Sequence, residues 1–447
     1  MQKERLVILG AGESGAGTAV LGKLKGYDVF VSDMAAVAEK YKNLLGQYQI
    51  PVEEGQHTEE LILNADLVMK SPGIPEKAPM IKKLREKGIK IVSEIEFASW
   101  YCSAKLVCVT GSNGKTTTTS LIYDIFRKAG LNVGLAGNIG DSFALQVALK
   151  NYDVYVLELS SFQLDDIEKF KPDVAILTNI TPDHLDRYDY KFENYIKSKF
   201  RITMNQTDND IFIYNLDDPV TTEWLDRIGL KGKAVPFSLN KTLKKDGGWE
   251  SGENITLKYQ DKILNMKRTS LGIKGRHNVS NSLAAGLSAM VMNIRNEAIR
   301  EALSDFKGVE HRLERVSAVR GIEFINDSKA TNVNSTWYAL ECLNTPVVWI
   351  AGGTDKGNNY AELLNLVKGK VRALVCIGVD NSKLKEQFGE VVDTFVEAES
   401  MEDAVKMSYF LAKKGDTVLL SPACASFDRF KNYEDRGNQF KQQVRKL

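Results

Sequence analysis

The sequence predicts an α/β protein with three domains built around mostly parallel sheets. Its 447 residues correspond to about three domains of ordinary size. Short β-branched apolar runs recur along the chain, each followed by glycine or polar residues and then by a helical pattern. Strands that are apolar throughout and alternate with helices are typical of buried parallel sheets. In such sheets, ligands bind where the carboxyl ends of strands meet the amino ends of helices.

The composition excludes several classes of protein. With 59 Lys and Arg against 58 Asp and Glu, the formal net charge is +1. This balance excludes a protein that binds nucleic acid or an anionic membrane through a broad basic surface. Hydrophobic residues at 43% and charged residues at 26% are ordinary globular usage. No apolar run reaches the roughly 18 residues of a membrane span. The five cysteines lack CxxC spacing and no secretory signal is recognisable, so we expect reduced thiols in a cytoplasmic protein.

The rhythm of strands and helices divides the chain into three regions. Residues 1–97 begin with an apolar strand and a glycine-rich turn and are predicted to form a Rossmann-like domain. Residues 98–304 begin with KLVCVTGSNGKTT at 105–117 and are predicted to form a central P-loop ATPase-type domain with a mostly parallel sheet. A polar insert at 239–263 is typical of a hairpin. Residues 305–447 are predicted to form a second Rossmann-like domain.

The first strand ends in GAGESG at 10–15, which fits the pattern GxGxxG, and Asp33 ends the next strand. Glycines in such a turn let a pyrophosphate approach the amino end of a helix, and the acidic residue binds a ribose hydroxyl. Three interpretations stay open at this point. The turn serves a nicotinamide or flavin cofactor, or a Rossmann-like domain that holds another nucleotide diphosphate, or it is a tight turn without a ligand.

The strongest local motif is TGSNGKTT at 110–117, which lies between an apolar strand and a helical stretch. Backbone N–H groups of such a turn surround phosphate oxygens, Lys115 would neutralise the terminal phosphates, and Thr116 would offer its hydroxyl to Mg²⁺. The spacing departs from GxxxxGK[ST], because Val109 stands where that pattern has glycine. We interpret the motif as a shortened phosphate loop for ATP rather than as a plain strand–helix turn.

Further candidates in the central region follow two other strands. Glu158 ends an apolar strand, where a carboxylate opposite a phosphate loop is suited to Mg²⁺ but is also explained as a buried helix start. His184 follows the next strand and is either part of the site or structural. Lys197 and Lys199 lie in one helical stretch, and the pattern does not favour either of them.

Three polar motifs follow apolar strands in the last region: NDSKAT at 326–331, GGTDKG at 352–357 and SPACASFD at 421–428. Their lysines, hydroxyls and helix-start N–H groups are suited to a small dicarboxylate. Each motif alone is equally explained as a solvated loop, but three at strand ends favour a site. A diphosphate motif, an ATP motif and this set together suit an enzyme that joins a nucleotide-carried substrate to a second molecule.

Taken together, the motifs resemble the Mur ligase family over essentially the whole chain. GSNGKTT alone is shared with the folylpolyglutamate synthases of the broader family. The motifs typical of the member that adds D-glutamate are LELSSFQL (157–164), TPDHLDRY (181–188), EHRLE (310–314), NDSKATN (326–332) and SPACASFDRFKNYEDRGN (421–438). The resemblance implies an ATP-dependent amide ligase of peptidoglycan precursor synthesis that adds D-glutamate to UDP-N-acetylmuramoyl-L-alanine through an acyl phosphate.

The resemblance also implies roles for individual residues. The uridine diphosphate substrate is expected at Glu13, Ser14, Asp33, Ser71, Gly73, Asn138 and His184. ATP is expected at Gly111, Ser112, Asn113, Gly114, Lys115, Thr116, Thr117, Asn278, Arg312, Asp327 and Lys329. D-Glutamate is expected at Thr331, Lys356, Ser426, Phe427 and Tyr433. Two Mg²⁺ sites are expected at Thr116, Glu158, His184 and Lys199, with Lys199 carbamylated, and catalysis at Lys115, Glu158, His184 and Lys199.

Other functions remain as alternatives. A folylpolyglutamate synthase would share the phosphate loop, an NAD(P) dehydrogenase would rest on GxGxxG and Asp33, and a non-catalytic regulator would bind ATP without cleaving it. For the ligase we expect small-molecule substrates, no nucleic acid or membrane partner, and a monomer.

Overall fold

The computed structural model describes residues 3–355 and 357–447. Three sheets with helices between their strands confirm the predicted α/β class. The chain divides into two compact units. Unit 1 comprises Met1–Gly272 and Asn278–Phe306 and holds two of the sheets, whereas unit 2 comprises Ile273–His277 and Lys307–Leu447 and holds the third.

The first sheet of unit 1 has five parallel strands. The strands are β1 (Arg5–Leu9), β2 (Asp28–Asp33), β3 (Val52–Glu54), β4 (Leu67–Lys70) and β5 (Lys90–Val92). The helices are α1 (Glu13–Leu24), α2 (Glu39–Gln47), α3 (Glu59–Ile62), α4 (Pro79–Glu86) and α5 (Glu94–Ser99). The spatial order β3-β2-β1-β4-β5 brings the ends of β1, β2 and β4 together at one edge, where the glycine turn lies.

The second sheet of unit 1 has nine strands. They are β6 (Lys105–Thr110), β7 (Val133–Gly137), β8 (Val154–Glu158), β9 (Val174–Leu177), β10 (Ile211–Asn215), β11 (Lys233–Ser238), β12 (Gly247–Ser251), β13 (Asn254–Tyr259) and β14 (Lys262–Lys267). The helices are α6 (Lys115–Lys128), α7 (Phe143–Leu149), α8 (Ser161–Asp165), α9 (Phe192–Phe200), α10 (Pro219–Ile228), α11 (Arg276–Val291) and α12 (Asn296–Asp305). The order is β14-β13-β12-β11-β10-β9-β6-β8-β7.

Most of this sheet is parallel, and only its last part reverses direction. Strands β12 and β13 pair antiparallel across a turn at 251–254, and β14 pairs antiparallel with β13. The predicted hairpin in the polar insert is therefore confirmed, and a third strand extends it. The insert lengthens one end of the sheet, away from the strands that carry the phosphate loop.

Unit 2 contains a six-stranded sheet. Its strands are β15 (Glu314–Val319), β16 (Ile322–Asn326), β17 (Val347–Ala351), β18 (Val371–Cys376), β19 (Thr394–Glu397) and β20 (Thr417–Leu420). Its helices are α13 (Val333–Cys342), α14 (Leu364–Lys370), α15 (Ser382–Phe388), α16 (Met401–Leu411) and α17 (Tyr433–Val444). The order is β15-β16-β20-β17-β18-β19, in which the β15–β16 pair is antiparallel and the other pairs are parallel.

The sheets are buried as their apolar strands predict. Every residue of β4, β8, β9, β17 and β20 is buried, because helices pack on both faces of a parallel sheet. All five cysteines are free. Within 3–355 and 357–447, no helix has the length and apolar character that a membrane crossing requires.

Helix α5 is fixed to the second sheet by one buried carboxylate, that of Glu96. Its Oε2 accepts hydrogen bonds from the backbone N–H groups of Glu168 and Phe170, each at 2.8 Å, and its Oε1 accepts one from Lys169 at 2.9 Å. The indole Nε1–H of Trp100 donates to Oε1 at 2.8 Å. The side chain thus satisfies consecutive backbone donors that would otherwise be buried without acceptors.

We predict that Glu96→Ala destabilises unit 1 by about 3 kcal/mol or more, because buried donors left without partners cost roughly 1–3 kcal/mol each. The amides of residues 168–170 should lose protection first, which hydrogen exchange of the full chain would measure. Glu60→Gln, at an exposed position of α3, is the control and should leave that protection unchanged. If hydrogen exchange at residues 168–170 were the same in Glu96→Ala as in the wild type, the Glu96 carboxylate would not be what protects these amides.

Candidate active site

Polar loops follow three neighbouring strands of the second sheet. Because β9, β6 and β8 are adjacent and parallel, their carboxyl ends lie at one edge of the sheet. The phosphate loop leaves β6, Glu158 ends β8, and the segment with His184 follows β9. The structure therefore brings these sequence-predicted groups to the same edge.

The phosphate loop has a backbone that requires glycine at two positions. Gly111 has φ +146° and Gly114 has φ +82°, which side chains rarely adopt. A Cβ at Gly111 would lie 1.9 Å from Oγ1 of Thr178, and one at Gly114 would lie 2.4 Å from Oδ1 of Asn281. Asn281 also donates from Nδ2 to Oδ1 of Asn278 at 3.2 Å, so the predicted ATP contact Asn278 lies beside the loop.

The loop is held by residues that the sequence analysis did not identify. Oγ1 of Thr178 donates to the carbonyl of Asn113 at 2.6 Å, and the Asn113 N–H donates to Oδ1 of Asn179 at 3.0 Å. The Ser112 hydroxyl lies 2.8 Å from the carbonyl of Thr181 and 3.1 Å from the Tyr195 hydroxyl. The available signal was the position of Thr178 and Asn179 directly after an apolar strand.

Helix α6 begins at Lys115, and its first turn carries Thr116 and Thr117, both buried. Nζ of Lys115 donates to the carbonyls of Gly111 and Ser112 at 2.8 and 2.9 Å. The ammonium group therefore lies over the loop that precedes its own helix, which is the place where the sequence predicts phosphate.

Lys199 is buried at the same loop, whereas Lys197 is not. Only 1% of Lys199 is exposed, and its Nζ donates to the carbonyl of Gly111 at 2.7 Å. The side chain of Lys197 is 59% exposed and pairs with Glu193 on the outside of α9. Burial, with the charge of Lys115 nearby, lowers the pKa of Lys199 well below its usual value. Of the two lysines between which the sequence pattern does not choose, the structure places Lys199 at the loop, and its role in the site stays a prediction.

Glu158 and Asn138 lie together at the end of β8. Glu158 is 1% exposed, and its Oε1 accepts a hydrogen bond from Nδ2 of Asn138 at 2.7 Å. The Asn138 N–H also donates to the Glu158 carbonyl at 2.8 Å. Gly137 has φ +100°, and a Cβ there would lie 2.3 Å from that carbonyl, so glycine is needed for this close approach.

His184 lies in the left-handed region with φ 52°, on the segment after β9. Its Nε2 is 3.7 Å from Oδ2 of Asp183, and its ring packs edge-on against Phe162 with centroids 5.1 Å apart. Arg187 on the same segment donates to the carbonyls of Pro72, Gly73 and Ile74. This contact links the His184 segment to the turn after β4.

The glycine turn borders a cavity of about 770 Å³ in the first sheet of unit 1. The predicted residues Asp33, Ser71 and Gly73 line it. Asp33 accepts a hydrogen bond from the Ala11 N–H at 2.7 Å, and Ser71 donates to the Gly10 carbonyl at 3.2 Å. These two side chains therefore shape the turn as well as border the cavity.

Glu13 and Ser14 begin α1, and their side chains contact other side chains of unit 1. Oε2 of Glu13 accepts a hydrogen bond from the Tyr41 hydroxyl at 2.7 Å, and Lys40 lies 3.5 Å from the same oxygen. The Ser14 hydroxyl interacts with the buried carboxyl of Glu94. Both side chains contact neighbouring parts of unit 1, so their predicted contacts with substrate stay a prediction.

Unit 2 has its own set of polar loops at adjacent strand ends. Asp327 follows β16, and Oδ2 accepts a hydrogen bond from the Ser421 hydroxyl, which follows β20, at 2.8 Å. Oδ1 accepts one from the Leu313 N–H at 3.2 Å. Burial raises the pKa of Asp327 to about 7, although Ser421 and the Arg312 guanidinium act to lower it.

The predicted D-glutamate residues of unit 2 lie on neighbouring loops. Nζ of Lys329 lies over the Tyr433 ring at 5.2 Å, and Thr331 is two residues further along that loop. Ser426 is buried and Phe427 is 72% exposed. Lys356 lies outside the described residues, but the loop before it pairs with the Ser426 loop through the Thr354–Ala425 bridge, whose N–H···O distances are 2.9 and 3.2 Å.

The donor set at the edge of the second sheet fits Mg²⁺. The Thr116 hydroxyl and the Glu158 carboxylate are oxygen donors of the kind this hard cation prefers. In the described part of the chain, no three His, Cys, Asp or Glu side chains form a metal-binding group.

Comparison with known families gives one match for each predicted region. The Mur ligase MurD-like N-terminal domain matches residues 4–93, the Mur ligase middle domain matches residues 109–289, and the Mur ligase glutamate ligase domain matches residues 311–424. The predicted fold of three domains is thereby confirmed, while the exact limits of the regions stay a prediction.

Relatives and solved structures agree with these matches. The UDP-N-acetylmuramoylalanine–D-glutamate ligase of Christiangramia forsetii is 55% identical over 99% of this chain and 100% of its own. The ligase of the same name from Bacteroides fragilis is 59% identical over 99% of this chain and 100% of its own. A pseudomurein peptide ligase type C from Methanothermus fervidus has a TM-score of 0.63 at 20% identity, covering 99% and 100% of the two chains. A UDP-N-acetylmuramate-alanine ligase from Thermotoga maritima has a TM-score of 0.63 at 19% sequence identity, and the match covers 100% of both chains.

The solved structures share the fold, and the full-length relatives are identical to this chain at more than half of the aligned positions. With three domain matches and more than half of its residues identical to those of full-length relatives, the chain belongs to the Mur ligase family.

Proposed function

We propose that this chain is an ATP-dependent ligase that joins D-glutamate to the alanine carboxyl of UDP-N-acetylmuramoyl-L-alanine in peptidoglycan precursor synthesis. The observation that carries the proposal is the glycine-dependent phosphate loop, with Lys115 above it and the buried Glu158 on the neighbouring strand. The name shared by relatives that match over their full length supports the choice of substrates. We place the reaction in the cytoplasm and expect a monomer that acts on small molecules.

The first step is transfer of the γ-phosphoryl group to the alanine carboxylate. Both reactants are negatively charged, so their approach must be made favourable by nearby positive charge. The Lys115 ammonium group lies above the loop and would exchange its backbone carbonyl contacts for phosphate oxygens. The loop N–H groups would bind further oxygens, and the oxygen of the carboxylate attacks phosphorus in line as the bond to ADP breaks.

The second step is attack by the neutral amine of D-glutamate on the acyl phosphate. A C–N bond forms, the resulting tetrahedral intermediate expels phosphate, and the amine loses its proton to solvent. No protein nucleophile is needed, since phosphorylation has already activated the carboxyl. In unit 2, we assign D-glutamate to Thr331, Ser426, Phe427 and Tyr433 together with Lys356, and nucleotide contacts to Arg312, Asp327 and Lys329.

Two Mg²⁺ ions complete the proposed site, and when bound they would neutralise phosphate charge. Thr116 and Glu158 would hold one of them, and His184 and Lys199 the other. For Lys199 to do so it must carry an anion, and we propose that its Nζ is carbamylated. The neutral amine, favoured by burial, forms an N–C bond to CO₂ and releases one proton.

Trapping the acyl phosphate tests the function directly. With UDP-N-acetylmuramoyl-L-alanine, ATP, Mg²⁺ and hydroxylamine, but without D-glutamate, we expect the hydroxamate of the alanine carboxyl, detected by mass spectrometry. With D-glutamate instead of hydroxylamine, ADP should form with the ligated product, and L-glutamate should not replace D-glutamate. A hydroxamate formed only with a folate, or no ADP with any substrate, would contradict the proposal.

Two lysines of helix α6 provide a matched pair for this experiment. Lys115→Ala should lower hydroxamate formation by a hundredfold or more, because removal of one preorganised electrostatic contact typically costs about 10²–10³ in rate. Lys128→Ala, at the exposed end of the helix, should stay near the wild-type rate. Equal rates in the two variants would contradict the role of Lys115.

We predict that Lys199→Ala lowers the rate by about a hundredfold, whereas Lys197→Ala stays within about twofold because its exposed pair with Glu193 contributes little. The rate is that of ADP release with both substrates present. After incubation with ¹³C-bicarbonate, a carbamate ¹³C signal should be present in the wild type and in Lys197→Ala and absent in Lys199→Ala. The same signal in all three proteins would rule out Lys199 as the modified residue.

We predict a pH-dependent gain in stability for Asp327→Asn. The folded-state pKa of Asp327 is raised to about 7, so its stabilising contribution is complete at low pH and is lost as the pH rises through 7. Asparagine does not ionise, so the variant does not lose this contribution. The melting temperature of Asp327→Asn minus that of the wild type should therefore increase from pH 5 to pH 8, while ligation is impaired. The control is Asp393→Asn at an exposed position. If the difference in melting temperature between Asp327→Asn and the wild type were constant from pH 5 to pH 8, the raised pKa of Asp327 would be contradicted.

A further inference from the structure

Two loops at the ends of neighbouring strands approach each other closely in unit 2. They are the β17 loop (352–358), which follows β17, and the β20 loop (421–428), which follows β20. Gly353 has φ +140°, and a Cβ at this position would lie 2.1 Å from the carbonyl oxygen of Ala425. Glycine is therefore needed where the two backbones meet. The Thr354–Ala425 bridge lies next to this point, so the loops are joined first through their backbones.

A buried tyrosine provides a second contact between these loops. Tyr360 begins the short 3-10 helix after the β17 loop and is only 5% exposed. Its hydroxyl lies 2.9 Å from Oδ2 of Asp355 in the β17 loop and 3.0 Å from Sγ of Cys424 in the β20 loop. Nδ2 of Asn358 donates to the same hydroxyl oxygen and to the carbonyl of Ala423, each at 3.1 Å. Side chains from both loops therefore converge on one phenol.

The proton of the Tyr360 hydroxyl points to Asp355. Burial acts to raise the pKa of Asp355, but the hydrogen bonds that its carboxyl accepts, the largest effect being that of Lys383, outweigh burial and lower the pKa. The group is therefore a carboxylate, which accepts hydrogen bonds and cannot donate one. Because the phenol has a single proton and directs it to Asp355, its oxygen is the acceptor for Asn358.

The Cys424 thiol is the third group at the phenol. Burial raises the pKa of Cys424 to about 11, so the thiol keeps its proton at neutral pH and can donate it. The Tyr360 oxygen, whose own proton is directed at Asp355, is the acceptor within reach. The hydroxyl thus donates one hydrogen bond to the β17 loop and accepts one from each of the two loops.

The β20 loop is anchored to a further part of unit 2, so it provides the fixed side of this contact. Arg436 on α17 is fully buried. It donates from Nη1 to the Cys424 carbonyl at 3.2 Å and from Nη2 to the Ser328 carbonyl at 2.8 Å. These bonds tie the β20 loop to the loop after β16. The Tyr360 hydroxyl then connects the β17 loop to this anchored pair.

We propose that Tyr360 is a positioning residue for the D-glutamate site, because its hydroxyl fixes the β17 loop on the β20 loop. The inference rests on the proposed function, which assigns Lys356 in the first of these loops and Ser426 in the second to D-glutamate. Asp355 immediately precedes Lys356 in the sequence, while Lys356 itself lies outside the described residues. A small ligand bound by groups from two loops requires both loops to be held in register, since displaced groups bind it less well.

The test compares Tyr360→Phe with Tyr409→Phe in the full chain. Tyr360→Phe removes only the hydroxyl and keeps the ring, whereas Tyr409 lies on α16, outside both loops. We expect the KM for D-glutamate to rise about tenfold in Tyr360→Phe, as one lost hydrogen bond is worth about that factor, and to keep its wild-type value in Tyr409→Phe. The KM for ATP, and hydroxamate formation without D-glutamate, should be unchanged in both variants. General damage to the fold would lower hydroxamate formation as well.

Two partners of Asp355 separate the loop contact from effects of charge. Lys383→Ala removes the exposed ammonium group that pairs with Oδ1 at 3.0 Å, and the KM for D-glutamate should stay within about twofold of wild type. Asp355→Ala removes the acceptor of the Tyr360 proton and should raise this KM by about tenfold or more. Adding Tyr360→Phe to Asp355→Ala should raise it little further, because the two residues share one hydrogen bond.

Hydrogen exchange provides a readout that does not depend on activity. The N–H of Thr354 donates to the Ala425 carbonyl at 2.9 Å, and the N–H of Ala425 donates to the Thr354 carbonyl at 3.2 Å. These two amides therefore report whether the loops stay in contact. We expect them to lose protection in Tyr360→Phe and to keep it in Tyr409→Phe.

The outcomes distinguish this inference from the proposed function. If the wild type is an active ligase and Tyr360→Phe leaves the KM for D-glutamate or the protection of the bridge unchanged, the role of Tyr360 is overturned and the ligase stands. Independent effects of Tyr360→Phe and Asp355→Ala, or a loss of hydroxamate formation that matches the rise in KM, also overturn it. A wild type that forms no hydroxamate with UDP-N-acetylmuramoyl-L-alanine overturns the ligase, and with it the role at a D-glutamate site.

Discussion

The candidate site of unit 1 depends on a steric constraint in the loop after β6. At Gly111 a methyl group would occupy the position of the Thr178 hydroxyl, which is 1.9 Å from the Cβ that would be added. The absence of that methyl group lets β9 approach β6 closely enough for Thr178 and Asn179 to bond to the loop backbone. The same close approach leaves the Gly111 carbonyl within reach of Lys199 on α9. A side chain at this position would displace the loop, its supports and the buried lysine together.

The parts of the molecule that the sequence predicts are those determined by local patterns. Strands such as β8 and β17 are apolar throughout, so their burial in parallel sheets follows from composition alone. The phosphate loop lies in one short segment, 110–117, whose glycines and lysine are contiguous. The hairpin of β12 and β13 likewise follows from turn residues and from the alternation of apolar and polar residues within one stretch of sequence. For these elements, neighbours in sequence carry the information.

The remaining features depend on contacts between distant residues, which a single sequence does not display. Lys197 and Lys199 have equivalent local surroundings, and they differ only because α9 turns one toward Gly111, which is 88 positions away in the chain. Glu96 binds backbone amides more than 70 residues later, a partner that has no side-chain signature. Nδ1 of His57 lies 2.7 Å from the hydroxyl oxygen of Ser32, which is on another strand. In each case the strand order and packing, rather than residue type, determine the role.

The two lysines at Gly111 have opposing electrostatic requirements. Nζ of Lys115 and Nζ of Lys199 donate to the same carbonyl oxygen at 2.8 and 2.7 Å. Burial makes the charge of Lys199 unfavourable, and repulsion between two ammonium groups around one oxygen adds to this effect. The lowered pKa of Lys199 is the consequence, since a neutral amine can keep the hydrogen bond without the repulsion. The charge of Lys115 then remains at the amino end of α6, where the helix dipole also favours an anion.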